Sequence, residues 1–111
     1  PDIRFRLEIA AGLPEPDAAT ALTLFRIVQE GTTNVLRHAG ARQVTIRLWT
    51  DPAHWRMILT DDGVGLGPDH REGTGLTGMR ERITLLGGTL CIGAEGRGTQ
   101  LQASLPRPTT S

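Results

Sequence analysis

Eleven of the fourteen glycines fall between Gly63 and Gly98, interrupted only by one stretch of helical character. A glycine inside a helix or strand costs roughly 0.5–1 kcal/mol relative to alanine, so a cluster this dense marks a region built for turns and close backbone approaches. The first half of the chain is patterned differently. Residues 3–9 alternate, with Ile3, Phe5, Leu7 and Ile9 set against Arg4, Arg6 and Glu8, the period of a half-buried strand. Gly12-Leu13-Pro14-Glu15-Pro16 breaks that pattern, and Asp17 can cap a helix running to about Ala39, where Gly40 supplies the stop. At 100° per residue Ala18, Ala21, Leu22, Phe25, Val28 and Leu36 share one wide face, which predicts that this face packs on a sheet.

Val44 to Trp49 and Trp55 to Thr60 alternate again, joined by Thr50-Asp51-Pro52-Ala53-His54, and read as a hairpin. A helical stretch from Met79 to Leu86 ends at Gly87-Gly88. Leu90-Cys91-Ile92 and Leu101-Gln102-Ala103-Ser104-Leu105, around a Gly96-Arg97-Gly98 turn, read as a second hairpin. The predicted fold is a two-layer α+β sandwich, with a mixed sheet of about five strands and helices on one face. At 111 residues the chain fits one domain, with a core over about 3–106 and a tail over 107–111. The single cysteine, Cys91, reads as a small hydrophobe in a strand, because no basic residue adjoins it to activate the thiol.

Charge narrows the partners. Twelve arginines and no lysine balance twelve acidic residues, and the basic ones are scattered, which argues against a nucleic-acid surface. No apolar run approaches the ~18 residues of a membrane span, and Pro1-Asp2-Ile3-Arg4 lacks the grammar of a signal peptide. The expectation is a cytoplasmic domain cut from something longer.

Three clusters could carry chemistry. On the long helix Glu30, Asn34 and Arg37 share the side opposite the apolar face, at spacings of four and three. They read either as a solvated face or as oxygen ligands for a hydrated Mg²⁺, with Arg37 or His38 turned toward phosphates. Thr60-Asp61-Asp62-Gly63-Val64-Gly65 runs a strand into an acidic pair followed by alternating glycines. It is either a tight acidic turn or a place where a flat ligand meets bare backbone and a carboxylate accepts from an exocyclic amine. Gly73-Thr74-Gly75-Leu76-Thr77-Gly78 opens onto the helix at Met79, where backbone N–H groups can gather an anion such as phosphate. No buried strand precedes it, as a dinucleotide-binding fold demands, and the Gly-Lys-Ser/Thr of a P-loop is missing.

In order and spacing, Glu30-x-x-x-Asn34-x-x-Arg37-His38, Asp61-x-Gly63-x-Gly65, Gly73-x-Gly75-Leu76-x-Gly78 and Gly98-Thr99 resemble the four ATP-binding boxes of the Bergerat-fold (GHKL) superfamily, which includes gyrase, MutL and the sensor histidine kinases. Arg26 to Glu30, Asn34 to Ala39 and Gly78 to Ile83 further resemble the histidine kinases that pair with helix-turn-helix response regulators. The resemblance implies that Asp61 accepts from the adenine amino group, with Gly63 and Gly65 leaving room for the base and Thr99 hydrogen-bonding nearby through water. It implies that Asn34 coordinates Mg²⁺, that Arg37 neutralises phosphate charge, and that His38 stands near the phosphates. Gly73, Gly75, Leu76 and Gly78 would line the phosphate side.

Glu30 matches the general base of gyrase-like ATPases, a role that a histidine kinase does not use. His54 and His70 fit no box. Only Leu66 to Glu72 separate the second and third boxes, so the lid is short and lacks the phenylalanine motif of many kinases. Gly31 stands where a helix former is expected, at a cost of about 1 kcal/mol and for no reason visible in the sequence. The implied function is to bind Mg·ATP and donate its γ-phosphate to a histidine on a separate dimerisation/phosphoacceptor domain, with a response regulator as indirect partner. The fragment itself would be a monomer within a homodimeric parent. The rivals are an anti-sigma-type protein serine kinase and a nucleotide-binding module without catalysis.

Overall fold

The computed structural model describes residues 3–36, 42–63, 74–95 and 98–108. Five strands and two helices follow one another as β1 (Arg4–Ile9), α1 (Ala18–Asn34), β2 (Gln43–Thr50), β3 (His54–Asp61), α2 (Thr74–Leu85), β4 (Thr89–Glu95) and β5 (Gly98–Pro106). The strands form one sheet in the order β1-β2-β3-β5-β4. β1 runs parallel to β2 and every other pair is antiparallel, so the sheet is mixed and both expected hairpins are present. Leu24 and Ile27 of α1, Met79 and Ile83 of α2, and the alternate residues Val44, Ile46, Met57, Leu59, Leu90, Leu101, Ala103 and Leu105 form a single buried core. Both helices therefore cover the same face of the sheet, as the two-layer reading requires.

Asp17 caps α1 by accepting from the Thr20 N–H at 2.8 Å, which satisfies one of the donors that a helix start leaves unpaired. The helix turns a different side inward from the one predicted. Its buried residues are Thr20, Thr23, Leu24, Ile27 and Gly31, whereas Leu22 is 44% exposed, Phe25 60% and Leu36 65%. Thr23 tolerates burial because its hydroxyl donates to the Ala19 carbonyl at 2.8 Å. Gly31 supplies the rest of the explanation. A Cβ there would fall 2.7 Å from a Leu59 methyl, so the missing side chain lets α1 settle directly on β3. The predicted helix end at Ala39 and Gly40 lies outside the described residues.

The strand at β1 is present, but its apolar residues are not buried. Phe5, Leu7 and Ile9 pair with Val44, Ile46 and Leu48, and so point to the helix side of the sheet. They are 49%, 61% and 58% exposed. α1 packs chiefly on β3 and α2 on β4, away from this edge of the sheet. Cys91 is likewise in its strand but exposed, on the face turned away from the helices.

At the far end of the sheet Asp51 organises the β2–β3 hairpin, accepting from the Ala53 and His54 N–H groups at 2.8 and 2.7 Å and from Arg56 Nε at 2.7 Å. The Arg56 hydrogen bond, followed by the backbone donors, holds this carboxyl well below the usual range. His54 borders the same turn, its Nδ1 3.4 Å from Asp51. Arg107, assigned by sequence to a tail, is anchored here. Its N–H donates to Ala53 and its guanidinium to the Asp51 carbonyl.

α2 closes on a Schellman motif. Gly87, at φ +82°, donates to Thr84, and Gly88 donates to Ile83 at 2.8 Å.

Candidate nucleotide-binding site

β3 alternates inward at Trp55, Met57, Leu59 and Asp61, so the period that builds the core also buries a carboxylate at the strand's last residue. Asp61 is 6% exposed. Its Oδ1 accepts from the Gly63 N–H at 2.8 Å, which bends the chain just past the strand, and among the described residues no donor reaches Oδ2. No buried side-chain polar atom among the described residues lacks a partner, so Oδ2 keeps contact with solvent, where a ligand's donor can reach it.

Neighbouring strands flank Asp61. Asp61 lies opposite Val44 of β2, and continuing the β3–β5 register by one step from Thr60↔Gln100 puts half-buried Thr99 opposite Asp61 on the other side. Gly98 comes closer still. A Cβ on Gly98 would stand 1.7 Å from the Asp61 carbonyl oxygen and 3.1 Å from the Asp62 Cα, so only a bare backbone fits against this peptide. Sequence reading placed Gly98 in the fourth box and in a turn but gave it no role of its own.

Glu30 and Asn34 are half-buried rather than spread over a solvated face, because they flank the inward stripe of Ile27 and Gly31. Gly31 against Leu59 brings this part of α1 to the end of the sheet that carries Asp61. The oxygens of Asn34 and Glu30 suit a hard cation. Two donors on one helix leave most of an octahedral shell to water and phosphate, as Mg²⁺ prefers. No group of three or more His, Cys, Asp or Glu residues that could hold a metal occurs among the described residues.

α2 begins at Thr74, five residues before the boundary read from sequence. Gly75 and Leu76 thus lie in its first turn, where N–H groups lack intrahelical partners, while Gly78 lies deeper, where the preceding turn accepts its N–H. Arg37, His38, Gly65 and Gly73 lie outside the described residues.

Asp62, which sequence reasoning left without a role, ties the end of β3 to the start of β2. Its Oδ1 accepts from the N–H groups of Arg42 and Gln43, at 2.8 and 2.9 Å, and its own N–H donates to the Gln43 carbonyl at 3.2 Å. The Gln43 hydrogen bond, then that from Arg42, lowers its pKa. The available signal was the acidic pair itself, of which only the first member received a role.

The model of the family described as "histidine kinase-, DNA gyrase B-, and HSP90-like ATPase" matches residues 19–109. The signal transduction histidine-protein kinase/phosphatase UhpB of Salmonella typhimurium is 47% identical over 87 residues, which cover 78% of this chain and 17% of that protein. The sensor histidine kinase MctS of Rhizobium johnstonii is 38% identical over 104 residues, covering 88% of this chain and 23% of that one. The chain thus spans less than a quarter of the length of either relative. Among solved structures, the histidine kinase domain from the Erythrobacter litoralis EL346 blue-light activated histidine kinase superposes with a TM-score of 0.80 at 24% identity. The match covers 94% of this chain and 51% of that one, and shows the common fold. No helix among the described residues is long and apolar enough to cross a membrane.

Proposed function

The chain belongs to the histidine kinase-, DNA gyrase B- and HSP90-like ATPase family, and on that footing we propose that it is the catalytic domain of a sensor histidine kinase, binding Mg·ATP and presenting the γ-phosphate to a histidine on a separate helical domain. The observation that carries the reading is the buried Asp61 side chain, with one oxygen held by the Gly63 N–H and no donor from the described residues on the other, flanked in the sheet by Val44 and Thr99 and by the bare backbone of Gly98. An acceptor in that setting selects adenine, whose exocyclic amine donates, over guanine, whose carbonyl cannot.

Asn34 holds the cation through its amide oxygen, and Arg37 with the first-turn N–H groups of α2 gathers phosphate oxygens. Gly63 and Gly65 clear room for the base, and His38, Gly73, Gly75, Leu76 and Gly78 border the phosphates. Phosphoryl transfer asks mainly for positioning and charge neutralisation, which such an array supplies without a covalent intermediate. Glu30 has no water to activate in this chemistry, since the attacking group is a histidine on the acceptor domain.

Mixed with the phosphoacceptor helices of its own parent protein and Mg·ATP, the chain is expected to phosphorylate a histidine in trans. The label should be lost in acid. Acid-stable label on a serine would support the anti-sigma-type kinase instead, and binding without transfer would support the non-catalytic module.

Asp61→Asn tests the base contact separately. It places an N–H where an acceptor is required, and removing that pairing at a buried group is expected to cost about 1–3 kcal/mol, roughly 5–150-fold in affinity. Calorimetric titration with ATP and GTP measures it. Unchanged ATP affinity with GTP still excluded would remove Asp61 from the adenine contact.

A further inference from the structure

The Asp61-Asp62 pair divides its labour. Asp61 is buried on the inward side of β3, while Asp62 is exposed and binds backbone. The last paired position of the β2–β3 ladder is Val44↔Asp61. Beyond it, the start of β2 is held to the end of β3 by the Asp62 side chain, which takes both the Arg42 and Gln43 N–H groups on one oxygen, together with the Asp62 N–H to the Gln43 carbonyl. Arg42 in turn accepts the Arg4 N–H on its carbonyl at 2.9 Å, so β1, β2 and β3 converge on this point. From the opposite side Gly98 lies against the Asp61 carbonyl and the Asp62 Cα. The peptide carrying the inward carboxylate is thus gripped on both flanks, by Asp62 through β2 and by Gly98 through β5.

Connectivity gives this grip its consequence. Asn34 ends α1, and the chain re-enters the sheet at Arg42 and Gln43, the two residues that Asp62 holds. We propose that Asp62 is a positioning residue for nucleotide binding, pinning the strand entry that follows the Asn34–Arg37 motif to the strand exit that carries Asp61. The inference rests on the nucleotide-site reading and adds to it a residue that touches no ligand. What the pin supplies is acceptor geometry, two amides on one oxygen, and asparagine offers the same oxygen in the same place.

The test compares wild type, Asp62→Ala and Asp62→Asn by calorimetric titration with Mg·ATP, with melting curves run in parallel and titrations made well below the lowest midpoint. Asp62→Ala is expected to lose about tenfold or more in affinity, and Asp62→Asn to stay near wild type, because the lost acceptor is restored. Equal affinity in Asp62→Ala with only a lower melting midpoint would overturn the proposal in favour of a purely structural tie. A comparable loss in Asp62→Asn would overturn it by showing that charge, not the acceptor, is needed.

A second measurement needs no variant. By reciprocity, if pinning favours nucleotide then nucleotide favours pinning, so saturating ATP is expected to slow amide exchange at Arg42 and Gln43 in the wild type by about the same factor. Unchanged exchange at both amides would overturn the proposal. Wild type that fails to bind ATP at all would instead bring down the site reading itself, and this proposal with it.

Discussion

Gly98→Ala is expected to weaken ATP binding by roughly 5–150-fold or more, with a smaller effect on the fold than on the site. The added methyl would stand 1.7 Å from the Asp61 carbonyl oxygen and 2.7 Å from its carbonyl carbon, distances at which backbone must move because no flexible side-chain end can yield. The backbone that moves is that of the residue whose carboxylate faces the proposed base. A displacement of even a few tenths of an ångström misaligns a buried hydrogen bond, and losing it while leaving the carboxylate desolvated is expected to cost about 1–3 kcal/mol before any change in pocket shape is counted. Gly98 begins β5, and the strand's core residues Leu101, Ala103 and Leu105 lie several positions away, so urea midpoints are expected to fall less than affinity does. Calorimetry and urea unfolding on the same preparation separate the two. Wild-type affinity in the variant would show that the β5 backbone does not set the Asp61 position.

Gly88→Ala is expected to produce the opposite division, a large loss of stability with the site chemistry left to whatever folded protein remains. Its Cβ would fall 2.2 Å from the Ser104 carbonyl oxygen and 3.0 Å from both Ile83 Cγ2 and Leu105 Cδ2. Ile83 is 0% exposed and Leu105 1%, so neither has room to withdraw. Overpacking at such a point costs typically 1–3 kcal/mol, and a clash with backbone as well as two fully buried side chains places this one at the upper end. Each kcal/mol corresponds to roughly 4–8 °C in melting temperature for a domain of about this size. Thermal and urea unfolding measure it. A midpoint within a degree of wild type would mean that α2 and the β4–β5 hairpin can separate at little cost.

The architecture was legible in the sequence because alternation and helical period are local signals, and Trp55, Met57 and Leu59 announce their face without knowledge of a partner. The side of α1 that packs was not legible, because bulk outweighed spacing. Leu22 and Phe25 attract attention, whereas the stripe that is buried runs through Thr20, Thr23, Leu24, Ile27, Gly31 and Val35. A threonine whose hydroxyl is satisfied within its own helix, and a glycine that admits a neighbouring strand, are core residues that a hydrophobicity count cannot weigh. The exposure of Phe5, Leu7 and Ile9 was hidden for another reason. Alternation reports which residues share a face, not whether a second layer extends over that face. Asp61 was legible as one part of a spaced motif, whereas Asp62 and Gly98 act through backbone atoms of distant strands and acquire meaning only when those strands are placed.

The contact between Gly31 and Leu59 makes two distant positions share one allotment of space. Gly31 stands three residues before Asn34 and Leu59 two before Asp61, so bulk added at either position widens the gap between the helix bearing the amide and the strand bearing the carboxylate. A larger residue at 31 is therefore best accommodated beside a smaller one at 59. The helix stability that glycine forfeits at 31 is the cost of a fixed spacing, and the pair works as a gauge block for it.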